Sequence, residues 1–259
     1  MAKDNDILIR VENLTVGYDD TVVLKDLSFE VKRGEVFVIL GGSGSGKSTL
    51  LKNMIGLYRP ETGRILIDGD DLATAEGADR LRLLRRFGVM YQSGALFGSM
   101  SLLDNVRLAL EEFTGLDDEE MDLIARMKLQ LVGLSGSENK MPSELSGGMQ
   151  KRAAIARAMA LDPALLFLDE PSAGLDPITS AGLDQLILQL ARSLGITFVV
   201  VTHELASIYA IAGRVIMLDK QTKGIIATGR PDELRDHSDT PVVRQFFLRE
   251  AETPVHAKP

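Results

Sequence analysis

The residue types with the clearest chemical meaning lie in one glycine-rich stretch, which follows a short apolar run at residues 36–40. Its members are glycines, hydroxyl residues and one lysine: Gly41, Gly42, Ser43, Gly44, Ser45, Gly46, Lys47, Ser48 and Thr49. Glycines let backbone N–H groups converge on phosphate oxygens at a helix N-terminus, whose dipole favours anions. Lys47 would supply charge to the outer phosphates, and the Ser48 hydroxyl suits Mg²⁺. This phosphate loop (residues 41–49) predicts a nucleoside-triphosphate site, and the plain alternative is a glycine-rich turn with an unrelated lysine.

Two carboxylates, Asp169 and Glu170, end another apolar run at residues 165–168. In a parallel sheet, ligands gather at the carboxyl ends of the strands, where the phosphate loop would also lie. Asp169 would hold Mg²⁺, and Glu170 would polarise the attacking water as a general base. Acidic residues after a strand are common, so the pair carries weight only together with the phosphate loop.

A scaffold of alternating strands and helices must position these groups. Alternating patterns at residues 7–16, 22–31 and 64–69 predict three strands, which suggest an antiparallel sheet beside the phosphate loop. Short apolar runs predict further strands at residues 36–40, 89–92, 164–168, 196–201 and 215–218, and helical periodicity marks residues 81–87, 102–134, 153–160, 180–193 and 204–211. We expect breaks in the long helical stretch at Gly115 and Gly133. The alternation predicts an α/β fold whose parallel sheet is covered on both faces.

The whole-chain composition limits the function classes. The length of 259 residues suits one large α/β domain with room for a subdomain, and no apolar run approaches the ~20 residues that span a bilayer. The first residues lack the apolar core of a signal peptide, and the absence of cysteine fits a reducing cytosol. A net charge of −8 argues against nucleic acid as a partner. We expect disorder after Pro254.

A second glycine motif, Ser146–Gly148, opens the helix predicted at residues 153–160. Ser146, Gly147 and Gly148 at a helix N-terminus make another anion site, although one without its own lysine. As a bare pattern this could be an ordinary loop with an N-cap serine.

The run Leu145-Ser146-Gly147-Gly148-Met149-Gln150-Lys151-Arg152 resembles the signature motif of ATP-binding cassette (ABC) ATPases. The resemblance extends from Tyr18 to His203, with every motif in the family's order. It implies a P-loop NTPase (RecA-like) core with an antiparallel β subdomain and a helical subdomain. The implied boundaries are about 7–92 and 160–230 for the core with its β subdomain, about 93–159 for the helical subdomain, and 231–259 for a C-terminal extension.

The same resemblance assigns roles to single residues, with ATP and Mg²⁺ as the cofactors. Tyr18 matches the aromatic that stacks on adenine, and Gln92 matches the glutamine that senses magnesium and the attacking water. Residues 172–176, which end at Asp176, match the loop that crosses between subunits. His203 matches the histidine that contacts the γ-phosphate, although a lone histidine after a strand is usually structural. His237 and His256 match nothing and are interpreted as surface residues.

Members of this family form head-to-tail dimers, so the resemblance implies a homodimer. Each ATP would lie between the phosphate loop of one chain and the second glycine motif of the other. ATP binding would close the dimer and hydrolysis would reopen it.

The segment from Tyr91 to Val106 resembles ATPases of the Mla type, which power bacterial phospholipid transport. It departs from their expected pattern at Tyr91, Gly98, Met100 and Ser101. The likeness implies permease subunits docking near Gln92–Phe97, a lipid-binding MCE-domain protein, a small STAS-type accessory protein, and a peripheral position on the cytoplasmic face of the bacterial inner membrane. Leu96 and Phe97 are expected to line the docking groove, and the alternative is a tightly packed turn.

Other functions remain open at this stage. An importer ATPase for small polar solutes would carry the same catalytic residues. A non-transport ABC protein acting in translation or DNA repair usually has tandem cassettes or a long coiled-coil insertion, and neither is present here. The second glycine motif and the Gln92 region argue against a free-standing P-loop kinase.

Overall fold

The computed structural model describes residues 6–18 and 21–250, which form two β-sheets with helices packed around them. The strands of these residues are β1 (Ile7–Tyr18), β2 (Thr21–Lys32), β3 (Val36–Gly41), β4 (Thr62–Ile67), β5 (Asp70–Asp71), β6 (Phe87–Met90), β7 (Leu165–Asp169), β8 (Thr197–Val201), β9 (Arg214–Asp219) and β10 (Gly224–Gly229). The helices are α1 (Lys47–Met54), α2 (Gly77–Leu84), α3 (Leu102–Phe113), α4 (Asp118–Leu131), α5 (Gly147–Ala158), α6 (Pro177–Leu194), α7 (Leu205–Ile211), α8 (Pro231–His237) and α9 (Pro241–Leu248).

The central sheet has six strands in the order β10-β9-β3-β8-β7-β6. Strands β9, β3, β8, β7 and β6 run parallel, and only β10 pairs antiparallel, at the edge beside β9. Every residue of β3 and of β8 is buried, because helices or the second sheet cover both faces. The predicted α/β fold with a covered parallel sheet is confirmed.

Alternate residues of the central strands enter two separate hydrophobic cores. Val38 and Leu40 of β3 pack with α3, α4, α5 and α6, whereas Phe37 and Ile39 pack with α1 and the smaller sheet. Because side chains alternate across a strand, one apolar run supplies both cores. This arrangement explains why the run shows no polar alternation.

The smaller sheet has the order β2-β1-β4-β5 and is antiparallel, as the sequence predicts. Its strand β2 presses against the start of α1, where Val23 and Leu24 face Gly46. The second sheet therefore forms one wall of the phosphate loop.

Three α-helices, α3, α4 and α5, and a short 3-10 helix (Pro142–Glu144) lie between β6 and β7. Ser101 and Asp104 form a capping box at α3, and Asp117 and Glu120 form one at α4. The expected break at Gly115 is confirmed, because it lies between these helices. The boundaries of the implied subdomains stay a prediction.

Some predicted elements are wrong or missing. The helix expected at residues 81–87 ends at Leu84, and Phe87 already begins β6. Strand β10 and the helices α8 and α9 were not predicted. The turn at residues 19–20 and the tail after Pro254 lie outside the described residues. No described helix is long and apolar enough to cross a membrane.

The contact between β6 and α5 yields a test of this packing. A Cβ at Gly88 would lie 1.9 Å from the carbonyl oxygen of Ala158 and 2.7 Å from the Leu166 side chain. We expect Gly88→Ala to cost about 1–3 kcal/mol through overpacking, seen as a melting temperature several degrees lower. Gly115→Ala is the matched control, because its Cβ would meet nothing within 4 Å. Equal melting temperatures for the two variants would contradict the packing.

Candidate functional site

The phosphate loop joins β3 to α1 through backbone conformations that favour glycine at two positions. Gly46 has a φ of 95°, and its Cβ would lie 2.8 Å from Leu24 Cγ. At Gly41, a Cβ would lie 2.5 Å from the Leu218 carbonyl oxygen and 2.5 Å from Ser45 Oγ. The loop is thus clamped between β2 and β9, and its N–H groups are left at the start of α1.

The polar groups of the loop suit a phosphate ligand. Lys47 Nζ donates to the carbonyl oxygens of Gly41 at 2.9 Å and Gly42 at 3.0 Å. Burial lowers the pKa of Lys47, and the nearby carboxylates of Glu170 and Asp169 oppose that shift. Ser45 Oγ is buried and has no hydrogen-bond partner among the described residues. A curved backbone, a cation and an unpaired hydroxyl fit the phosphate chain of a nucleotide.

Glu170 and His203 meet at the carboxyl ends of neighbouring strands. The Glu170 N–H donates to the Val201 carbonyl oxygen at 2.8 Å, and the backbone there has a φ of 45°, which is uncommon for a non-glycine residue. His203 Nδ1 lies 2.7 Å from Glu170 Oε1. Glu170 Oε2 is buried and unpartnered among the described residues. One carboxylate oxygen is thus held by the imidazole, and the other can accept a proton.

Asp169 faces a cleft of about 580 Å³ that Gln92 also lines, together with Tyr91, Ser93, Ala173 and Gly174. Burial raises the pKa of Asp169, as does the Glu170 charge, while Lys52, Lys47 and Lys151 act in the opposite direction. A carboxylate and an amide on one cleft are hard oxygen donors of the kind that Mg²⁺ binds.

Ser48 is exposed in the first turn of α1, two residues after the N-cap Gly46. In the part of the chain described, no three His, Cys, Asp or Glu side chains cluster as a metal site. A magnesium ion would therefore need the Ser48 hydroxyl, the Gln92 amide and phosphate oxygens in addition to Asp169. These donors fit the ion.

The backbone of residues 92–95 is held by basic side chains of α5 that the sequence analysis did not identify. Buried Lys151 donates to the carbonyl oxygen of Gln92. Arg157 donates to the carbonyl oxygens of Ala95 at 2.6 Å and Gly94 at 3.0 Å. Burial lowers the pKa of both Lys151 and Arg157. The sequence signal for this role was the presence of charged residues within an alanine-rich helix that is otherwise expected to be buried.

Asn105 of α3 fastens the next part of this segment and was also missed. Its fully buried amide accepts from the Phe97 N–H at 2.8 Å. Its Nδ2 lies within 3.1 Å of the carbonyl oxygens of Phe97, Met100 and Ser101. A buried asparagine in an otherwise apolar helix face was the signal for this role.

Phe97 lines a largely apolar groove of about 580 Å³ between the central sheet and α3. Its ring is half exposed and lies 5.9 Å from the Arg157 guanidinium. Leu96, in contrast, packs against the core that contains α3, α4 and α5. The expectation that both side chains line a groove is therefore wrong for Leu96.

The second glycine motif lies beside the crossing loop and the start of α6, and a Cβ at Gly147 would come within 3.4 Å of Leu175 Cδ2. Ser146 Oγ accepts from the Met149 N–H at 3.3 Å and so caps α5. A Cβ at Gly148 would come within 2.4 Å of Thr179 Cγ2 on α6. Asp176 caps α6 by accepting from the N–H groups of Ile178 at 3.0 Å and Thr179 at 3.1 Å. These contacts group Ser146, Gly147 and Gly148 with the crossing loop (residues 172–176), and not with Lys47.

Tyr18 has an aromatic neighbour that was not predicted. Its ring is 39% exposed and meets Tyr58 edge-on at 5.4 Å. Lys52 Nζ lies 5.5 Å from the centre of the Tyr58 ring. An exposed ring with a fixed neighbour can stack on a planar base.

A glycine-rich phosphate loop, two strand-end carboxylates and a second glycine motif together define a P-loop ATPase of the cassette type. The model of the family described as ABC transporter matches residues 24–173. The chain belongs to the ABC transporter family, and it is accordingly an ATP-binding, ATP-hydrolysing enzyme of the transporter class. The P-loop NTPase fold expected from the sequence is confirmed.

Two curated relatives and one solved structure show which ABC proteins this chain is similar to. The chain is 42% identical to the "Intermembrane phospholipid transport system ATP-binding protein MlaF" of Haemophilus influenzae, over 98% of this chain and 95% of that protein. It is 44% identical to a protein of Mycobacterium leprae named as a probable ribonucleotide transport ATP-binding protein, mkl, over 93% of this chain. The match spans 69% of that protein's length, and 66% for its Mycobacterium tuberculosis counterpart.

The solved structure is an ATP-binding cassette described as a dimer in a post-hydrolysis state, bound to ADP and Pi. It aligns with a TM-score of 0.77 and 30% identity, covering 86% of this chain and 98% of that one. The predicted membership of the Mla-type branch of ABC ATPases is confirmed by the relatives.

The contact between Glu170 and His203 yields a prediction for turnover. We expect Glu170→Gln to retain ATP binding but to lose about 10²–10⁴-fold in the hydrolysis rate, because the amide cannot accept the proton of the attacking water. Lys47→Ala should instead weaken ATP binding, since it removes the phosphate counter-charge. Nucleotide affinity and phosphate release, measured in the assembled complex, separate the two. Wild-type turnover in Glu170→Gln, or unchanged affinity in Lys47→Ala, would refute the respective role.

Proposed function

We propose that the chain is the ATP-hydrolysing subunit of a transporter that moves phospholipid across the bacterial envelope and so maintains outer-membrane lipid asymmetry. The observation that carries this proposal is the 42% identity to the H. influenzae phospholipid transport protein over nearly the full length of both chains. The M. leprae relative bears the name of another substrate, a ribonucleotide. That name makes ribonucleotide the competing cargo in the experiment below.

The geometry supports a hydrolytic mechanism with distinct roles for its side chains. Glu170 accepts the proton of the attacking water at Oε2, while His203 holds Oε1 and so fixes the direction of the free lone pairs. Lys47 neutralises the outer phosphates, and Tyr18 stacks on adenine. Mg²⁺, held by Ser48, Gln92 and Asp169, would screen the phosphate charge when bound.

The proposal includes a homodimer with two composite sites. Ser146, Gly147 and Gly148 present a helix N-terminus close to the crossing loop, and a partner's nucleotide is the anion that suits it. The dimeric state of the cassette structure that aligns with this chain supports the arrangement. Asp176 would accompany the crossing loop toward the partner while its carboxylate caps α6.

The permease would dock in the groove that Phe97 lines. The groove is largely apolar, and its lining includes Phe87, Val89 and Ala158. Its rim is joined to the nucleotide site, because Arg157 and Lys151 on one helix hold the backbone between Gln92 and Ala95. A helix pressed into the groove would therefore bear directly on the Gln92 segment.

The other proposed partners are a lipid-binding MCE-domain protein and a small STAS-type protein, assembled on the cytoplasmic face of the inner membrane. A separate surface supports a further partner. Leu123, Met127 and Leu131 repeat every four residues along α4 and are 62%, 54% and 38% exposed. An apolar stripe of this kind on a helix commonly marks a protein contact.

The composite site yields a prediction that uses mixed dimers. Ser146→Arg should fill the partner's γ-phosphate position and block closure, while ATP still binds at Lys47. Dimers of one Lys47→Ala chain and one Ser146→Arg chain carry both lesions in one site and leave the other site intact. We expect nucleotide trapping at about one site per mixed dimer, near half of the wild-type amount. Equal loss at both sites would indicate self-contained active sites.

The groove yields a prediction for coupling. We expect Phe97→Ala to lower permease affinity by about 2–4 kcal/mol, because an aromatic anchor is removed from an apolar pocket. Transfer of fluorescent phospholipid between reconstituted membranes should collapse, while the melting temperature of the isolated subunit changes little. The matched control is Leu96→Ala, which should lower the melting temperature but preserve transport per folded molecule.

Two outcomes would contradict these assignments. Full lipid transfer by Phe97→Ala would remove the groove from the permease contact. Purification of the wild-type complex in mild detergent tests the cargo, since the proposal expects a permease with bound phospholipid. Ribonucleotide uptake without lipid transfer would instead favour the competing cargo.

A further inference from the structure

A cluster of buried polar side chains lies behind the hydrolytic edge, between α6 and α7. It consists of Ser172, Ser180, Asp184 and Ser207, none more than 8% exposed. Ser207 is its centre, because its Oγ lies 3.4 Å from Ser172 Oγ and 3.5 Å from Ser180 Oγ. The Ser207 hydroxyl also lies close enough to the Asp184 carboxylate to lower its pKa. None of these side chains has a role in the hydrolysis described above.

The cluster lowers the stability of the fold, because its polar groups are buried without full hydrogen bonding. Burial raises the pKa of Asp184, the hydrogen bond from Ser207 opposes that shift, and the Glu204 charge adds to it. Asp184 Oδ1 has no hydrogen-bond partner among the described residues. A buried polar group without full pairing destabilises a protein relative to an apolar side chain of the same shape. Retaining such a group beside a reaction centre points to a role other than stability.

The position of the cluster indicates what that role is. Ser172 follows Glu170 by two residues and begins the crossing loop, and Ser207 follows His203 by four residues in the first turn of α7. The same two chain segments are therefore joined twice. The first contact is the pair Glu170 and His203, and the second, one layer deeper, is the pair Ser172 and Ser207.

We propose that Ser207, held by Asp184, is a positioning residue that keeps the crossing loop in register with His203. A shift of His203 at the γ-phosphate would carry α7 with it, and the Ser172 contact would pass that shift to the loop that reaches toward the partner subunit. The link adjusts the loop when the nucleotide changes, and it does not itself touch the nucleotide. This inference rests on the proposed composite ATPase site and not on the identity of the cargo.

The test compares Ser207→Ala with wild type in the assembled complex. Removing one hydroxyl should lower the kcat for ATP by about 5–10-fold, the amount that one lost hydrogen bond supplies. The affinity of the isolated subunit for ATP should stay within about twofold, because the phosphate loop is untouched. Positive cooperativity in ATP should also weaken. Ser137→Ala, at a buried serine in the segment between α4 and α5, is the matched control and should leave all three quantities unchanged.

Two variants at Asp184 separate positioning from simple packing. Asp184→Leu fills the space without an acceptor and should melt no lower than wild type, yet show the same fall in kcat as Ser207→Ala. Asp184→Asn keeps an acceptor for Ser207 and should retain most of the wild-type kcat. The inference is overturned if Ser207→Ala keeps its kcat within about twofold of wild type per folded molecule. Should Ser207→Ala fail to fold, equal kcat values for the two Asp184 variants would overturn it.

Failure of the proposed function leaves a different result. A complex that hydrolyses ATP with these mutant effects but transfers no phospholipid would refute the cargo and retain the link. A complex whose phospholipid transfer is intact, but whose kcat is unchanged by the substitutions at Ser207 and Asp184, would refute the link and retain the phospholipid cargo.

Discussion

The parallel pairing of β3, β8 and β7 is the constraint on which the reaction centre depends. It brings Gly41, Asp169 and the residues after Val201 to one edge of a single sheet. Because these strands are buried on both faces, their ends cannot shift independently, and the proposed catalytic groups at those ends are held rigidly. The second sheet and β9 then close around the phosphate loop and exclude any side chain from Gly41 and Gly46.

Burial shifts the pKa values of the charged side chains near this edge of the central sheet. Lys47, Lys151 and Arg157 all have lowered pKa values because they are desolvated, while burial raises that of Asp169. Each charge is costly alone and is tolerated because its neighbours carry the opposite sign or offer carbonyl oxygens. Such a preorganised arrangement lowers stability but needs little rearrangement when a phosphate chain enters.

The sequence predicted the functional groups that lie in short motifs of neighbouring residues. It did not predict the side chains that hydrogen-bond to the backbone of other segments. Phosphate-loop glycines, Asp169 with Glu170, and the order of strands follow from local patterns, because each depends on neighbours along the chain. Lys151 and Asn105 bond to backbone atoms of segments far away or around a turn, so no local pattern announces them. The helix expected at residues 81–87 ended early because pairing of Phe87 with Leu165 on β7 outweighs a weak helical period. The missed helices α8 and α9 are short and each begins with proline, a boundary signal that went unused.

Helix α5 connects two distant parts of the molecule because of its length and of the contacts at its two ends. Its twelve residues make a rod of about 18 Å, with Ser146 at one tip and Arg157 at the other. Its N-terminal end packs closely against Thr179 at Gly148. Near its C-terminal end, Arg157 donates hydrogen bonds to the loop that borders the groove. A stiff rod pivoting at one end amplifies a small rotation into a larger sweep at the other. The nucleotide site and the groove share no atom, yet a rotation of α5 about its front end would move the loop beside the groove, so the proposed dimer closure and the proposed permease contact would be linked through this one helix.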